Sequence, residues 1–401
     1  MQLDPIEILK ELVAIPSVSP SLGEATRFVG GEARLTGFLE KFLTQIGLTV
    51  WRQPVLPGRE NVIARLDGDV QPTQGGSVIL LDAHQDTVPV DGMTIKPFQP
   101  EQRDGRIYGR GACDVKGGMA AILAAVARLT HEQPRPLPTI IVSCTVDEEN
   151  GFCGARRLID LWADGGNGFI PRRPDAAIVL EPTGLNLVVA HKGVVRWRVH
   201  AHGRAAHSSC PEAGENAIYT MARTITAIEQ YAANIANTTV HPRCGRATVN
   251  VGTIHGGAGV NTVPDRCTIE IDYRPLPGEE LDAVRQRLLD HVAHSVPSDS
   301  RLEHELPFMQ GQPLSDEHNG SLAERLFRVV REVVGSCRQM GVPYCTNAPF
   351  YASAGIPTVV FGPGSLEQAH TADEWLPVDQ LLQATDILYH CCRTFPTVST
   401  T

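Results

Sequence analysis

No stretch of the chain approaches the roughly 18 continuous apolar residues that a membrane-spanning helix needs, so no membrane partner is expected. The start, MQLDPIEILKELVAIPSV, lacks a basic opening, an apolar h-region and a small-residue cleavage site. No secretory leader is therefore expected, and a cytoplasmic protein is the expectation. There is no long Lys/Arg run, and 45 acidic against 35 basic residues leave a formal net charge of -10. Such a balance gives no support for a nucleic-acid partner. The 10 cysteines are scattered and none forms a C-x-x-C pair. Cys113, Cys144, Cys153 and Cys267 lie in or beside apolar or motif segments, which favours buried free thiols over disulfides. No internal repeat and no low-complexity tract interrupts the chain.

What is present suffices for two cores. The 401 residues exceed the size at which one hydrophobic core stops growing. The 42% apolar and 20% charged fractions belong to a folded chain. Ile6, Leu9, Leu12 and Val13 recur at helical spacing after Asp4-Pro5, and a second helix is predicted over about 32–46. Short apolar runs, Val78–Ala83, Thr139–Thr145 and Ala176–Leu180, then alternate with helical segments such as 117–129. Continuous apolar strands between helices predict a sheet covered on both faces, an α/β/α sandwich.

From about residue 191 the rhythm changes to β-α-β-β-α-β: a strand at 194–200, a helix at 216–236, strands at 247–254 and 267–273, a helix at 279–294 and a strand at 301–306. That is the split-βαβ, ferredoxin-like pattern. After it the first rhythm returns, with a helix at 319–335, a strand at 358–362 and a helix near 378–393. The expectation is a discontinuous domain, 1–190 and 306–401, with an inserted domain at 191–305.

Five segments carry metal-capable side chains at or near predicted strand ends, where open α/β sheets place ligand sites. In Leu81-Asp82-Ala83-His84-Gln85-Asp86, His84 and Asp86 face one side of a strand, as a ligand with its orienting carboxylate or as a plain hydrogen-bonded pair. Asp114, in Gly109-Arg110-Gly111-Ala112-Cys113-Asp114-Val115-Lys116-Gly117-Gly118, is either a ligand or a helix cap. Asp147-Glu148-Glu149 is either a solvated turn or a cluster that needs a cation, since like charges so dense repel. Glu181, locked by Pro182 after a buried strand, is a ligand or a turn residue. His370, in Glu367-Gln368-Ala369-His370-Thr371-Ala372-Asp373-Glu374, stands on a loop and taken alone reads as an ordinary surface histidine.

Taken together these motifs resemble, in order and local sequence, the M20 metallopeptidase and deacylase family that contains acetylornithine deacetylase, succinyl-diaminopimelate desuccinylase, aminoacylase and the glutamate-releasing carboxypeptidases. The resemblance implies a mixed-sheet α/β/α metallohydrolase domain with an inserted lid and dimerisation domain. It implies that Asp114 bridges two divalent ions, zinc first with cobalt or manganese as alternatives. His84 and Glu181 would complete one site, Glu149 and His370 the other. Glu148 would be the general base, Asp86 the partner of His84, and the Asp114–Val115 peptide cis. His207, in Gly203-Arg204-Ala205-Ala206-His207, would stabilise the oxyanion in a neighbouring subunit of a homodimer joined through the lid. Asn261 would touch the substrate amide, and Arg274 suits a planar carboxylate.

The run Pro343-Tyr344-Cys345-Thr346-Asn347-Ala348-Pro349-Phe350 is most similar to acetylornithine deacetylase, with one departure: Asn347 stands where that enzyme has a glutamate. Asn347 is therefore a candidate substrate contact that would read a cationic side chain less well. The expected activity is hydrolysis of N-acyl-L-amino acids, with N-acetylornithine as the leading candidate. A dipeptidase or carboxypeptidase, or an N-succinyl-amino acid desuccinylase, is the alternative within the family. A metal-free scaffold protein is disfavoured because all five ligands and Glu148 are present.

Overall fold

A computed structural model of the chain describes residues 4–20, 31–163, 168–238 and 240–398. Two compact units emerge: Met1–Val189 with Asp316–Met340 and Thr346–Thr401, and Ala190–Ser315 with Gly341–Cys345. The second unit therefore runs about ten residues past the expected boundary at 305.

The first unit opens with helices α1 (Pro5–Ala14) and α2 (Ala33–Gln45). Asp4 caps α1 by accepting from the Ile6 amide, and Pro5 occupies the first helical position. Strands β1 (Thr49–Leu56), β2 (Arg59–Leu66) and β3 (Val78–His84) follow, then the short β4 (Glu101–Arg103) and β5 (Arg106–Tyr108). Next come α3 (Gly117–Glu132), β6 (Thr139–Thr145), α4 (Cys153–Ala163), β7 (Ala176–Leu180) and β8 (Leu187–His191).

The second unit holds β9 (Val194–His202), α5 (Ala217–Thr238), the small hairpin β10 (Val240–His241) and β11 (Gly245–Arg246), β12 (Thr248–Gly256), β13 (Arg266–Arg274), α6 (Leu281–Ser295), β14 (Arg301–His304) and β15 (Met309–Gly311). The chain then runs through α7 (Gly320–Val334), β16 (Gln339–Val342), α8 (Ala348–Ser353), β17 (Thr358–Phe361), β18 (Trp375–Pro377) and α9 (Val378–Thr394).

The main sheet is mixed, in the order β1-β2-β6-β3-β7-β17-β8-β16. Its centre is parallel: β3 pairs with β6 and β7, and β7 with β17, all in one direction. Every residue of β3, β6, β7 and β17 is buried, as sheet strands covered on both faces require. Helices α1, α3, α7 and α9 pack one core cluster against this sheet, with Leu12, Leu123, Leu326 and Leu388 in its interior. Gly118 lets α3 approach β7 closely; a Cβ there would stand 2.8 Å from the Cβ of Leu180. The parallel centre brings the carboxyl ends of four strands to one edge.

In the second unit, β12-β13-β9-β14 form one antiparallel sheet, with β15 also on β9. The β9–β15 pairing accounts for the later boundary, because the three residues of β15 are too few to show an alternating pattern. One sheet face packs Trp197, Val199, Ile269 and Ile271 against Met221 and Ile228 of α5 and Leu288 of α6. No described helix is long and apolar enough to cross a membrane.

Candidate metal centre

Each candidate ligand of the first unit is delivered by a strand end or by a turn held in place nearby. His84 is the last residue of β3, Glu181 follows β7 directly, and Glu148 and Glu149 follow β6 within four residues. Asp114 sits on the turn before α3, where Gly111 has φ 80 and the Asp114–Val115 peptide is cis, as expected. His370 lies on the loop between β17 and β18 with φ 61, a left-handed conformation that costs a non-glycine residue free energy and clusters at functional sites.

The side chains meet. His84 Nε2 lies 3.0 Å from Asp114 Oδ1. His370 Nε2 lies 3.3 Å from Asp114 Oδ2 and 3.1 Å from Glu149 Oε1. Donor atoms of His84, Asp114 and Glu181 all stand within 4.8 Å of one another, and so do those of Asp114, Glu149 and His370. Asp114 is common to both groups, one carboxylate oxygen toward each histidine. Two donor sets sharing a carboxylate, each with one imidazole nitrogen, fit a pair of divalent ions.

The electrostatics of the protein alone are unbalanced. Burial, and then the charges of Glu149, Asp114 and Asp86, push Glu148 well above the ordinary carboxylate range. Burial and Asp114 raise Glu149 and Glu181 likewise. Burial opposes ionisation of Asp114 too, but hydrogen bonds from His370 and His84 bring it below its ordinary value. The same contacts, with Asp114 first and Glu149 second, lift His370 to about 11. His84 also rises: burial disfavours its charge, but the Asp114 hydrogen bond and the Glu148 and Glu181 charges outweigh that. Excess negative charge of this kind favours cations at the shared carboxylate.

Around the donors lies a supporting layer. The Asp86 carboxylate accepts from the amides of Glu148 (3.1 Å) and Glu149 (3.2 Å). His84 Nδ1 faces the Asp86 carbonyl oxygen at 2.8 Å and its carboxylate at 3.8 Å, so the main chain does most of the orienting. Glu374, whose role the sequence pattern left open, gathers four donors: the amides of Gly111, Cys113 and Asp114 at 2.9 to 3.0 Å and Arg110 Nη1 at 2.6 Å. It thereby fixes the turn that carries Asp114. Lys116 Nζ, fully buried, donates to the carbonyls of Leu12 and Ile15 and ties the same turn to the end of α1.

The remaining expected site residues lie elsewhere. Asn347 is buried beneath the strand ends, where its Nδ2 donates to Asp82 Oδ2 (3.2 Å) and Thr145 Oγ1 (3.0 Å). Asp82 also accepts from Ser143 Oγ at 2.5 Å, so the amide completes a polar network of the first unit. His207, Asn261 and Arg274 belong to the second unit. His207 is exposed, with Nδ1 2.7 Å from Ser209 Oγ, and Asn261 stands in an exposed loop. Arg274 directs Nε and Nη2 to the Asp272 carboxylate at 2.6 and 3.0 Å.

Solved structures with the same fold cover nearly the whole chain. Aminopeptidase PepT from Bacillus cereus is 23% identical over 98% of each chain, with a TM-score of 0.72. The M20 family metallo-carboxypeptidase Sso-CP2 from Sulfolobus solfataricus is 18% identical over 97% of this chain and 98% of that one, with a TM-score of 0.77. The YXEP protein of Bacillus subtilis, a dinuclear metal-binding peptidase of family M20, is 17% identical over 97% and 96%, with a TM-score of 0.65. At such identities the likeness establishes the fold. The family model for peptidase family M20/M25/M40 matches residues 80–394, a stretch that holds every donor of both clusters. With a dinuclear donor set and a hydrolase fold in one chain, this protein belongs to peptidase family M20/M25/M40.

Proposed function

We propose that the chain hydrolyses the amide bond of N-acyl-L-amino acids, in the manner of acetylornithine deacetylase, with two zinc ions held by His84, Asp114, Glu149, Glu181 and His370. The observation that carries this reading is the pair of donor clusters sharing Asp114, with the Glu148 carboxyl buried beside Glu149 and its backbone amide held by Asp86. When bound, the ions would polarise the scissile carbonyl and make a water acidic enough to attack at neutral pH. Glu148 takes the proton of the attacking water and returns it to the departing amine. Asp86 keeps Glu148 and Glu149 in register through their amides. His207, supplied across a homodimer, would stabilise the oxyanion; Asn261 and Arg274 would hold the amide and the α-carboxylate. Arg274 would have to share its fork with Asp272 to do so.

Dipeptide or carboxypeptidase substrates are the second reading, favoured by the aminopeptidase and carboxypeptidase among the similar solved chains. The commitment of Asn347 to Asp82 and Thr145 supplies no carboxylate for an ornithine-like ammonium, so a neutral amino-acid side chain is preferred. The test is amine release from N-acetyl, N-succinyl and dipeptide substrates after chelation and after readdition of zinc or cobalt. We expect turnover of N-acetyl amino acids only with metal restored. Faster turnover of dipeptides would move the assignment to the second reading, and release from none of them would end both.

A further inference from the structure

The turn that carries Glu148 and Glu149 is braced from a strand that supplies no ligand. On β2, Asn61 Oδ1 accepts from the Val146 amide at 3.0 Å, and its Nδ2 donates to the Gly154 carbonyl at 2.9 Å. Two residues earlier, on the same side of the strand, stands Arg59, only 6% exposed. Its Nη1 donates to Asp147 Oδ1 at 2.8 Å. Its Nε donates to both oxygens of Glu32, at 3.1 and 2.8 Å, and Nη2 adds a bond to the same carboxylate. Glu32 is wholly buried. Asp147 itself holds φ 66, and its carbonyl accepts from the Gly151 and Phe152 amides. Glu148 and Glu149 are the next two residues. The acidic turn is thus gripped twice: by Asp86 through the amides of the working residues, and by Arg59 through the side chain immediately before them.

No step of the hydrolysis uses Arg59 or Glu32. A guanidinium buried this deeply is retained only if its carboxylate partners answer it. Only arginine offers a fixed fork that can bond two carboxylates at once. Burial and the charge of Asp86 raise Glu32 to about 7 even with Arg59 against it, so Arg59 is the permanent charge of the pair. We propose that Arg59, oriented by Glu32, is a positioning residue for the Asp114–Glu149–His370 cluster: by pinning Asp147 it sets where Glu149 would meet that cluster's ion and where Glu148 would meet the water. This rests on the reading of Glu149 as ligand and Glu148 as base. His84 and Glu181 hang on other strands, and Arg59 acts on that side through the charge of Asp86 rather than through the turn, so the first cluster should respond far less to Arg59.

The decisive measurement is calorimetric titration of the metal-free protein with zinc, for the wild type and for Arg59→Met, Arg59→Lys and Glu32→Gln, with His370→Ala marking which zinc equivalent belongs to the second cluster. We expect Arg59→Met to weaken that equivalent by about 10–100-fold and leave the other within about 3-fold, the scale on which residues behind a ligand act. On the best substrate, kcat should fall by a similar factor with KM little changed, Arg59→Lys should recover part of the loss, and Glu32→Gln should lose least. If Arg59→Met does not fold, the two milder variants must still separate the equivalents. Wild-type affinity at both, or equal weakening at both together with a lower melting temperature, overturns the proposal. The zinc titration needs no substrate, so it stays readable even if the hydrolytic assignment fails.

Discussion

The strand ends of the first unit and the open face of the second unit's sheet use the same residue types to opposite ends. On the open face, Arg196 pairs with Asp272 at 2.7 Å, Arg198 with Glu270 at 2.9 Å, His200 with Glu305 at 2.7 Å and His202 with Glu303 at 2.8 Å. Each carboxylate there has a cationic or protonatable partner from the protein, and the partners alternate along β9 as a strand period of two dictates, the arginines facing β13 and the histidines meeting the glutamates at and after β14. At the strand ends, Asp86, Asp114, Glu148, Glu149 and Glu181 converge on His84 and His370, and burial drives the glutamates toward their neutral forms. Lack of a matching partner is what singles out the metal centre, and it is a property of the folded arrangement rather than of composition.

The sharpest break in that comparison comes from Glu148, which belongs to neither donor cluster. Glu148→Gln keeps the shape and removes the proton acceptor, so kcat should fall by about 10²–10⁴-fold while both zinc equivalents bind as before. Because burial already disfavours the charged form, the metal-free variant should melt at or above the wild-type temperature. Parallel assays of turnover and zinc stoichiometry check this. Near-normal turnover would mean that another group moves the proton.

How much of this was legible in the sequence differs by region for a physical reason. The donors could be found because each follows an apolar strand or a glycine-rich turn, and their order along the chain resembles a known family. The braces could not. Glu374 reaches a turn some 260 positions earlier, and Glu32 meets Arg59 only because α2 packs against β2. Neither pairing leaves a local pattern. Arg274 suits a planar carboxylate by its chemistry, and the pattern does not show that Asp272, two positions away on the same face, shares its fork. The β1, β4, β5 and β18 strands were likewise missed, being edge or three-residue elements with little apolar signal.

Histidines sharpen the contrast at a smaller scale. His84 and His370 are raised by carboxylates, whereas His191, fully buried in the second unit with Nδ1 2.8 Å from the Lys192 carbonyl oxygen, is lowered to about 4 by burial first and the Arg274 charge among the lesser causes. A folded value below the unfolded one near 6.5 means that the unfolded chain binds more protons between the two. Stability is therefore complete above about pH 6.5 and declines as pH falls toward 4, by roughly 3 kcal/mol in all. Hydrogen exchange of β9 amides at pH 7 and pH 5 should show the loss in the wild type and a flatter response in His191→Gln. An identical pH response in the variant would assign the effect to other groups.

The smallest expected effect tests the balanced side. Glu270 and Arg198 are each more than a third exposed, so water already screens their attraction and the long side chains lose freedom in holding it. Glu270→Gln should therefore shift stability by no more than about 0.5–1 kcal/mol, and added salt should shrink that difference further. A denaturant midpoint moved by several times that amount would mean that the face is closed off from water in solution. The ladder would then be a buried interface, and its pairing would owe as much to desolvation as the metal centre does. A negligible shift, set beside a large loss in Glu148→Gln, would separate carboxylates that merely decorate a sheet from those that the fold holds short of positive charge.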